Sequence, residues 1–136
     1  MILACSHLIV ATGDVPRMTA FFARAFEASP RFENDMFSEF VLPSKFRIAF
    51  FVPVGASARS FSAARERGGC AFGVTVTDVD ALHQRLTSML DEFGVLLSGP
   101  PKEHPWGEKS FLLIDPDGNR WEITQAPSSD GMLRDR

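Results

Sequence analysis

The amino-acid sequence predicts an α+β fold made of two βαβββ modules that repeat one plan along the chain. Strand-like and helix-like segments follow one another in the same order twice. An Asp-Val pair stands between the first strand and the helix of each copy, at Asp14 and again at Asp78. These two aspartates are 64 residues apart, which sets the offset between equivalent positions of the two modules.

The length of 136 residues fits one compact domain. We therefore predict a single domain over residues 1–126, with modules at about residues 4–53 and 69–126. Residues 54–68 are rich in Ala, Ser, Gly and Arg and are predicted to form a partly helical linker. The polar residues 127–136 are predicted to be a flexible tail.

The first module begins with an aliphatic run over residues 6–11, which predicts a buried strand. Asp14 can accept hydrogen bonds from the first turn of a following helix, and Pro16 is tolerated there because its missing N–H would have no partner. We expect this helix to end at Pro30, and three short strands to follow between residues 31 and 52. The apolar residues of the helix recur at helical spacing and are Met18, Phe21, Phe22, Ala25 and Phe26.

The second module repeats this order, with a strand over residues 71–76 and a helix that Asp78 opens and Gly94 ends. The apolar face of this helix consists of Val79, Leu82, Leu86, Met89 and Leu90. Three further strands are predicted over residues 95–97, 109–114 and 119–125.

Composition excludes several classes of function. The net charge of −3 argues against nucleic acid as a partner, because phosphate binding needs clustered Lys and Arg. No apolar stretch approaches the roughly 18–20 residues that cross a bilayer. Cys5 and Cys70 are too few for a disulfide framework and fit a reducing compartment. We therefore expect a cytoplasmic protein without nucleic-acid or membrane partners.

The aromatic residues are unusual, with 13 Phe, 2 Trp and no Tyr. A phenyl ring adds apolar area but cannot donate a hydrogen bond, so this composition favours an apolar interior or an apolar pocket. Both fates stay open for individual rings, since most Phe side chains are core residues.

Two short motifs carry a family resemblance. His7 precedes Asp14-Val15 by seven residues in a first-strand pattern, and Asp115-Pro116-Asp117-Gly118-Asn119-Arg120-Trp121-Glu122-Ile123 forms a turn followed by the last strand. Over about residues 4–125 the chain resembles the glyoxalase/bleomycin resistance protein/dioxygenase, or vicinal oxygen chelate, superfamily. The resemblance implies a half-barrel pair with a concave cleft, a small-molecule ligand and a homodimer. It also implies His7 and Glu122 as the positions of two metal ligands.

The chain departs from the metal-binding pattern of these relatives. Metal-dependent members have a second His at the start of the second module, and the 64-residue offset places Ala71 there. The last strand of the first module, residues 47–51, offers no carboxylate or imidazole as a further ligand. Because most catalytic divalent sites use three protein ligands, we favour no metal, although Zn, Mn, Ni or Fe stays possible.

The two cysteines are the remaining candidates for a third ligand. Cys70 is next to Ala71, but successive strand residues point to opposite faces, so its thiol is expected to face away from His7. Cys5 shares the parity of His7. The simpler interpretation of both is a small buried apolar residue.

Glu122 and Trp106 each have a functional and a structural interpretation. A carboxylate at mid-strand could pair with Arg47, His7 or Arg120, could ligate a metal, or could contact a ligand directly. Trp106 lies in a proline-rich loop, where its ring could stack on a ligand or pack over the edge of the barrel.

These observations predict a metal-independent protein that binds a small, partly apolar molecule. The expected ligand contacts are His7, Arg47, Phe50, Trp106 and Glu122, and no catalytic residue is assigned. The alternative is a metal-dependent lyase, isomerase or dioxygenase that uses His7 and Glu122, with a third ligand from Cys5, Cys70 or water. A third possibility is a dimeric interaction module whose cleft is filled by its own Phe side chains.

Overall fold

The computed structural model describes residues 1–62 and 70–125. Its strands are β1 (His7–Ala11), β2 (Phe32–Glu33), β3 (Phe37–Val41), β4 (Arg47–Phe51), β5 (Phe72–Thr75), β6 (Leu96–Leu97), β7 (Lys102–Glu103), β8 (Lys109–Ile114) and β9 (Arg120–Gln125). Its helices are α1 (Val15–Phe26), α2 (Ala56–Ser62), α3 (Val79–Thr87) and α4 (Leu90–Phe93). The chain divides into two compact units, Met1–Gly68 and Gly69–Arg136.

Each unit contains one mixed sheet in which the first and last strands are parallel neighbours. The first sheet has the order β1-β4-β3-β2, and the second has the order β5-β9-β8-β6, with β7 paired to the other end of the β8 edge that β6 occupies. Helix α1 follows β1 in the first unit, and α3 follows β5 in the second. Two parallel neighbouring strands need such a crossover connection, because the chain must return to the end of the sheet from which it started. The predicted α+β class and the repeated βαβββ plan are confirmed.

The two long helices begin with the same cap. The Asp14 carboxylate accepts a hydrogen bond from the Arg17 amide at 3.0 Å, and the Asp78 carboxylate accepts one from the Ala81 amide at 3.0 Å. An N-cap of this kind typically contributes about 1 kcal/mol to helix stability. The equivalent caps support the offset of 64 residues that the sequence predicts.

The core of the first unit lies between α1 and one face of its sheet. The Phe22 ring lies 4.6 Å from the Phe40 ring and 5.7 Å from the Phe50 ring, measured between centroids. The hydroxyls of Thr19 and Ser38 are hydrogen-bonded to each other at 2.7 Å, which pairs the helix with β3 through a buried polar contact. In the second unit, the equivalent core contains Leu82, Leu86, Phe111, Leu113, Trp121 and Ile123.

Local boundaries differ from the prediction at both helices. Helix α1 ends at Phe26 rather than at Pro30, because Glu27 adopts a left-handed conformation with φ of 52° and caps the helix. The second predicted helix is divided into α3 and α4, since the Met89 amide bonds to Leu86 rather than continuing the α-helical pattern. Gly94 ends α4 in a left-handed conformation, as predicted.

The segment around the proline-rich loop also differs. The sequence predicts a loop between β6 and β8, whereas Lys102–Glu103 forms the short strand β7, paired with Ser110 and Lys109. Helix α2 occupies the predicted linker. The rest of the linker, residues 63–68, and the predicted tail, residues 127–136, lie outside the described residues. The single-domain organisation stays a prediction.

None of the helices within residues 1–62 and 70–125 has the length and apolar character that crossing a bilayer requires.

Asp115 fixes the turn between β8 and β9. Its buried carboxylate accepts hydrogen bonds from the amides of Asp117 and Asn119, each at 2.9 Å, and from the Asn119 side chain. It also accepts one from the indole of Trp121 at 2.9 Å. Burial raises the pKa of the Asp115 carboxyl above its usual value, and these hydrogen bonds act in the opposite direction. The Asp-Pro-Asp-Gly-Asn motif therefore has a structural role, because Asp115 orders the turn and holds the indole of Trp121 in the core.

We expect Asp115→Asn to lower the free energy of unfolding by about 1–3 kcal/mol. Both carboxylate oxygens accept from N–H donors, so the amide group of Asn must direct its own N–H atoms at one of those donors in either orientation. Urea unfolding measures the loss. Asp117→Asn, at an exposed position of the same turn, is the matched control and should have little effect. Equal losses in the two variants would contradict this role for Asp115.

The same variant has a predicted pH dependence. With its pKa raised in the folded protein, Asp115 holds its proton more tightly when folded than when unfolded. Its contribution to stability is then fully present below the unfolded pKa of roughly 3.9 and is lost as pH rises through the folded pKa. The destabilisation by Asp115→Asn should therefore be larger at about pH 3 than at about pH 7. A larger effect at neutral pH would mean that the folded pKa is lowered instead.

Candidate functional site

The first sheet has one face against α1 and another that points away from it. Because strand residues alternate, Phe40, Ile48 and Phe50 lie against the helix and their neighbours point to the other side. We call this second surface the distal face of the first unit. Its residues, in cross-strand register, are His7, Arg47 and Val41, then Ile9, Ala49 and Glu39, then Ala11, Phe51 and Phe37.

His7 and Arg47 are direct cross-strand partners on this distal face. The parallel pairing of β1 with β4 places them opposite one another, and Nη2 of Arg47 lies 3.3 Å from Nδ1 of His7. The Ser6 hydroxyl lies 2.7 Å from the same nitrogen. A guanidinium can only donate hydrogen bonds, and a hydroxyl can donate as well, so the two contacts are compatible when Nδ1 is their shared acceptor and a neutral ring carries its hydrogen on Nε2.

A buried carboxylate organises the surrounding charges. Glu39 is 7% exposed and forms ion pairs with Arg31 and with Arg47, the latter at 3.5 Å between Oε2 and Nη1. The Arg31 amide also donates to the carbonyl oxygen of Glu39 at 2.8 Å, which brings the two side chains together. The side chains of Arg31 and Arg47 are 61% and 40% exposed, against 10% for Glu39. The two cations are therefore more exposed to solvent than the anion.

Glu39 is the site residue that the sequence analysis missed. The available signal was a carboxylate in the middle of a strand, next to Phe40, where an unpaired charge is costly to bury. Among the mid-strand carboxylates, Glu122 alone was predicted from the sequence to be a site residue. The partners of Glu39 come from β4 and from the segment before β2, a combination that only the sheet register reveals.

Apolar side chains adjoin the charged group on the distal face. Ile9 and Phe37 are exposed, and the Phe37 ring lies 6.0 Å from the Phe32 ring between centroids. Helix α2 places Phe61 edge-on against Phe51 at 4.8 Å, at the end of the distal face opposite to His7. The distal face thus has a cationic end and an aromatic end.

Glu122 lies in the second unit, on the face of its sheet away from the core residues Trp121 and Ile123. Its cross-strand neighbours are Gly73 and Leu112, and a Cβ atom added at Gly73 would meet nothing within 4 Å. Glu122 is exposed, and the described part of the second unit offers it no hydrogen bond or ion pair. Burying the Glu122 charge was expected to be costly, but its exposure means that this cost does not arise within the second unit.

Trp106 presents its ring from a tight turn between β7 and β8. The indole is 61% exposed and stacks on the His104 ring at 4.6 Å, with the two planes 2° apart. The indole N–H donates to Glu108 at 2.6 Å, and Nε2 of His104 lies 2.7 Å from the Ser110 hydroxyl. The ring is therefore held in place while one of its faces stays available, and His104 is a supporting residue that the sequence did not single out.

The remaining predicted residues lie apart from these surfaces. Phe50 is fully buried on the face against α1, so its ring belongs to the core of the first unit. Cys5 and Cys70 are free and exposed, which corrects the expectation of small buried thiols. Outside the predicted set, the ring of His83 on α3 contacts the carbonyl oxygen of Gly99 at 2.8 Å.

The comparison with protein families identifies the chain. The family model of the Glyoxalase/Bleomycin resistance protein/Dioxygenase superfamily matches residues 4–123. The chain belongs to this superfamily.

Solved structures of superfamily members share its fold. A glyoxalase-related enzyme from Fulvimarina pelagi is 21% identical with a TM-score of 0.72, and the match covers 92% of this chain and 89% of that one. A superfamily member from Sphaerobacter thermophilus is 23% identical with a TM-score of 0.68, covering 92% and 98%. The fosfomycin resistance protein FosX from Listeria monocytogenes, in complex with Mn(II) and sulfate ion, is 17% identical with a TM-score of 0.71 over the whole of both chains. A comparison with curated protein sequences finds no match.

Members of the superfamily often use divalent metals, so the donor atoms of this chain can be compared with that chemistry. Within residues 1–62 and 70–125, no group of three or more His, Cys, Asp or Glu side chains is placed to hold a metal ion. Ala71, at the position of the superfamily's second His, immediately precedes β5 and has no donor atom. Nδ1 of His7 already faces two donors, the Ser6 hydroxyl and the Arg47 guanidinium. The described residues therefore do not fit a three-ligand divalent site.

We expect Glu39→Gln to lower the free energy of unfolding by about 1–2 kcal/mol. The amide keeps the shape of the side chain but leaves two neighbouring guanidinium groups without their counter-charge, and the exposure of both guanidinium groups limits the loss. Thermal or urea unfolding provides the measurement. Glu33→Gln, at an exposed position on the adjacent strand β2, is the control and should be nearly neutral. A Glu39 variant as stable as this control would contradict the ion-paired role.

Proposed function

We propose that this superfamily member binds a small, partly apolar molecule and does so without a catalytic metal. The proposed ligand contacts are His7 and Arg47 in the first unit and Trp106 and Glu122 in the second. Phe50, which is fully buried, would contribute by supporting β4 rather than by touching the ligand. A cytoplasmic location and a homodimer belong to the same proposal.

One observation carries the metal-independent proposal, namely the guanidinium of Arg47 beside His7. A permanent positive charge 3.3 Å from the imidazole nitrogen repels a second cation at that place. It also uses the lone pair that a metal ion would need, since ligating imidazole must offer an unprotonated nitrogen. The missing donor at Ala71 supports the same conclusion independently.

The exposed surfaces support a role in ligand binding. Small-molecule sites are mostly apolar with a few polar groups that orient the ligand. The distal face of the first unit combines Ile9 and Phe37 with the charged group of Arg47, and the second unit offers the ordered indole of Trp106. Phe37 and Trp106 are rigid aromatic groups, which lose little conformational entropy on binding.

The alternative is a metal-dependent lyase, isomerase or dioxygenase. It is favoured by one comparison, the FosX structure in complex with Mn(II). In this alternative His7 and Glu122 are ligands, and a third comes from Cys5, Cys70 or water. The exposure of both thiols makes them accessible to a metal in solution.

Metal analysis separates the two proposals. Protein purified without chelator should contain metal well below stoichiometric amounts, and titration with Zn, Mn, Ni and Fe(II) should give no saturable stoichiometric binding. His7→Ala should leave these results unchanged. Tight binding of one equivalent that His7→Ala and Glu122→Ala each abolish, while Glu33→Ala retains it, would establish the metal-dependent alternative.

A screen by thermal unfolding tests ligand binding itself. A ligand at about 100 times its dissociation constant stabilises the folded state by about 2.7 kcal/mol, which raises the melting temperature measurably. We expect small aromatic or aliphatic molecules to stabilise the protein. Trp106→Ala should weaken the affinity for these molecules about tenfold or more, and it leaves the buried Trp121 of the core unchanged. A diverse library without a single stabilising compound would contradict the binding proposal.

A further inference from the structure

We propose that the distal face of the first unit recognises an oxyanion, a carboxylate, sulfonate or phosphate group, carried by an apolar and preferably aromatic molecule. This inference rests on the proposed binding function and names the chemical class of its ligand. All the residues of this surface belong to the first unit.

The distal face carries a net positive charge. Arg31 and Arg47 carry two permanent positive charges around the single negative charge of Glu39, so the ion-paired group has an excess of one positive charge. The carboxylate is nearly covered, whereas both guanidinium groups reach water. A molecule that approaches this surface therefore encounters cationic donors.

Arg47 and His7 offer hydrogen-bond donors on this face. Arg47 has five N–H donors, and it contacts Glu39 through Nη1 and His7 through Nη2. These contacts fix the plane of the guanidinium and leave further N–H groups to donate. Since Nδ1 of His7 accepts from Arg47, the neutral ring presents Nε2–H, another donor. Donors from two side chains on neighbouring strands suit the several lone pairs of an oxyanion, and hydrogen bonds to charged groups are stronger than those between neutral groups.

Glu39 is a positioning residue in this arrangement. Its ion pair restrains Arg47, whose long side chain would otherwise sample many rotamers that a ligand must restrict on binding. Its own burial keeps the negative charge from facing the ligand. The carboxylate thus orders the cation without repelling an anion at the surface.

The apolar neighbours define the rest of the ligand. Ile9 lies one cross-strand row away from Arg47, and Phe37 lies in the row beyond, both exposed. Same-face residues two apart in a strand are about 7 Å apart, so a fused ring system attached to an oxyanion at Arg47 has the length to reach Ile9. Phe37, about 14 Å from Arg47 by the same spacing, continues the apolar surface beyond it. A bare inorganic anion would leave this apolar surface unused.

Matched naphthalene probes test the inference. Binding of 2-naphthoate, naphthalene-2-sulfonate and 2-naphthyl phosphate is compared with binding of neutral 2-naphthamide by titration calorimetry or fluorescence. The amide keeps the shape of the carboxylate and removes its charge. We expect the anions to bind about tenfold or more tightly than the amide, and the order among the three anions identifies the preferred oxyanion.

Variants assign the effect to residues. Arg47→Gln should reduce the preference for 2-naphthoate over 2-naphthamide by about tenfold or more while leaving the amide affinity nearly unchanged. Glu39→Gln should reduce the same preference by a smaller factor than Arg47→Gln, because the loss of order in Arg47 outweighs the additional net positive charge. A purely structural loss would weaken both probes equally. Arg24→Gln removes the same charge from the last turn of α1, against the opposite face of the sheet, and should change neither affinity.

The outcomes separate this inference from the proposed function. Equal binding of anions and amide, with no effect of Arg47→Gln, would overturn the oxyanion inference and leave small-molecule binding supported. Binding of none of the four probes up to their solubility limits would also overturn the inference, and the library screen would decide the binding function separately. A preference for anions that Arg24→Gln removes as strongly as Arg47→Gln would show a nonspecific charge effect and reject the site.

Discussion

The parallel pairing of the first and last strands in each unit is the constraint on which the other features depend. A parallel neighbour requires a crossover helix, and the same Asp cap begins that helix in both units. In the first unit this pairing places His7 opposite Arg47. In the second unit it places Gly73, which has no side chain, opposite Glu122. One backbone arrangement thus presents a cationic surface in one unit and an exposed carboxylate with free space beside it in the other.

The chemistry of the first unit follows from one buried charge. Glu39 must be paired because it is nearly covered, and it pairs with two arginines that are not. Arg47 in turn uses the lone pair of His7 that a metal ion would require. An imidazole position that resembles a metal ligand of the superfamily is thereby turned into a hydrogen-bond donor. The same superfamily fold can support metal chemistry in one member and ligand recognition in another, because function depends on the side chains that the fold presents.

Much of the fold was predictable because its signals are local. Helical spacing of Met18, Phe21 and Phe22, the two Asp caps and the Asp115 turn are each contained within a few residues, and all three are confirmed. The predicted helix ends were wrong where two local conformations compete and the sequence pattern does not show which one forms. Glu27, for example, adopts a left-handed cap that ends α1 before Pro30. The strand β7 was missed because two residues between prolines give no periodicity.

The candidate site was less predictable because its contacts are long-range. The 64-residue offset alone indicated Ala71, but the partners of Glu39 depend on the register of three strands and on the segment before β2. Phe50 shows the opposite problem, since an aromatic residue beside Ala49 can face either side and only the position of α1 decides.

The protonation of the His7 ring tests the central claim most directly. Long-range proton–nitrogen NMR of the ¹⁵N-labelled protein, at a pH where the ring is neutral, distinguishes the nitrogen that carries hydrogen from the one that accepts. The account predicts hydrogen on Nε2 and an accepting Nδ1, with this preference weakened by Arg47→Gln. Hydrogen on Nδ1 with a free lone pair on Nε2, unchanged in that variant, would contradict the claim that Arg47 converts His7 from a metal ligand into a donor.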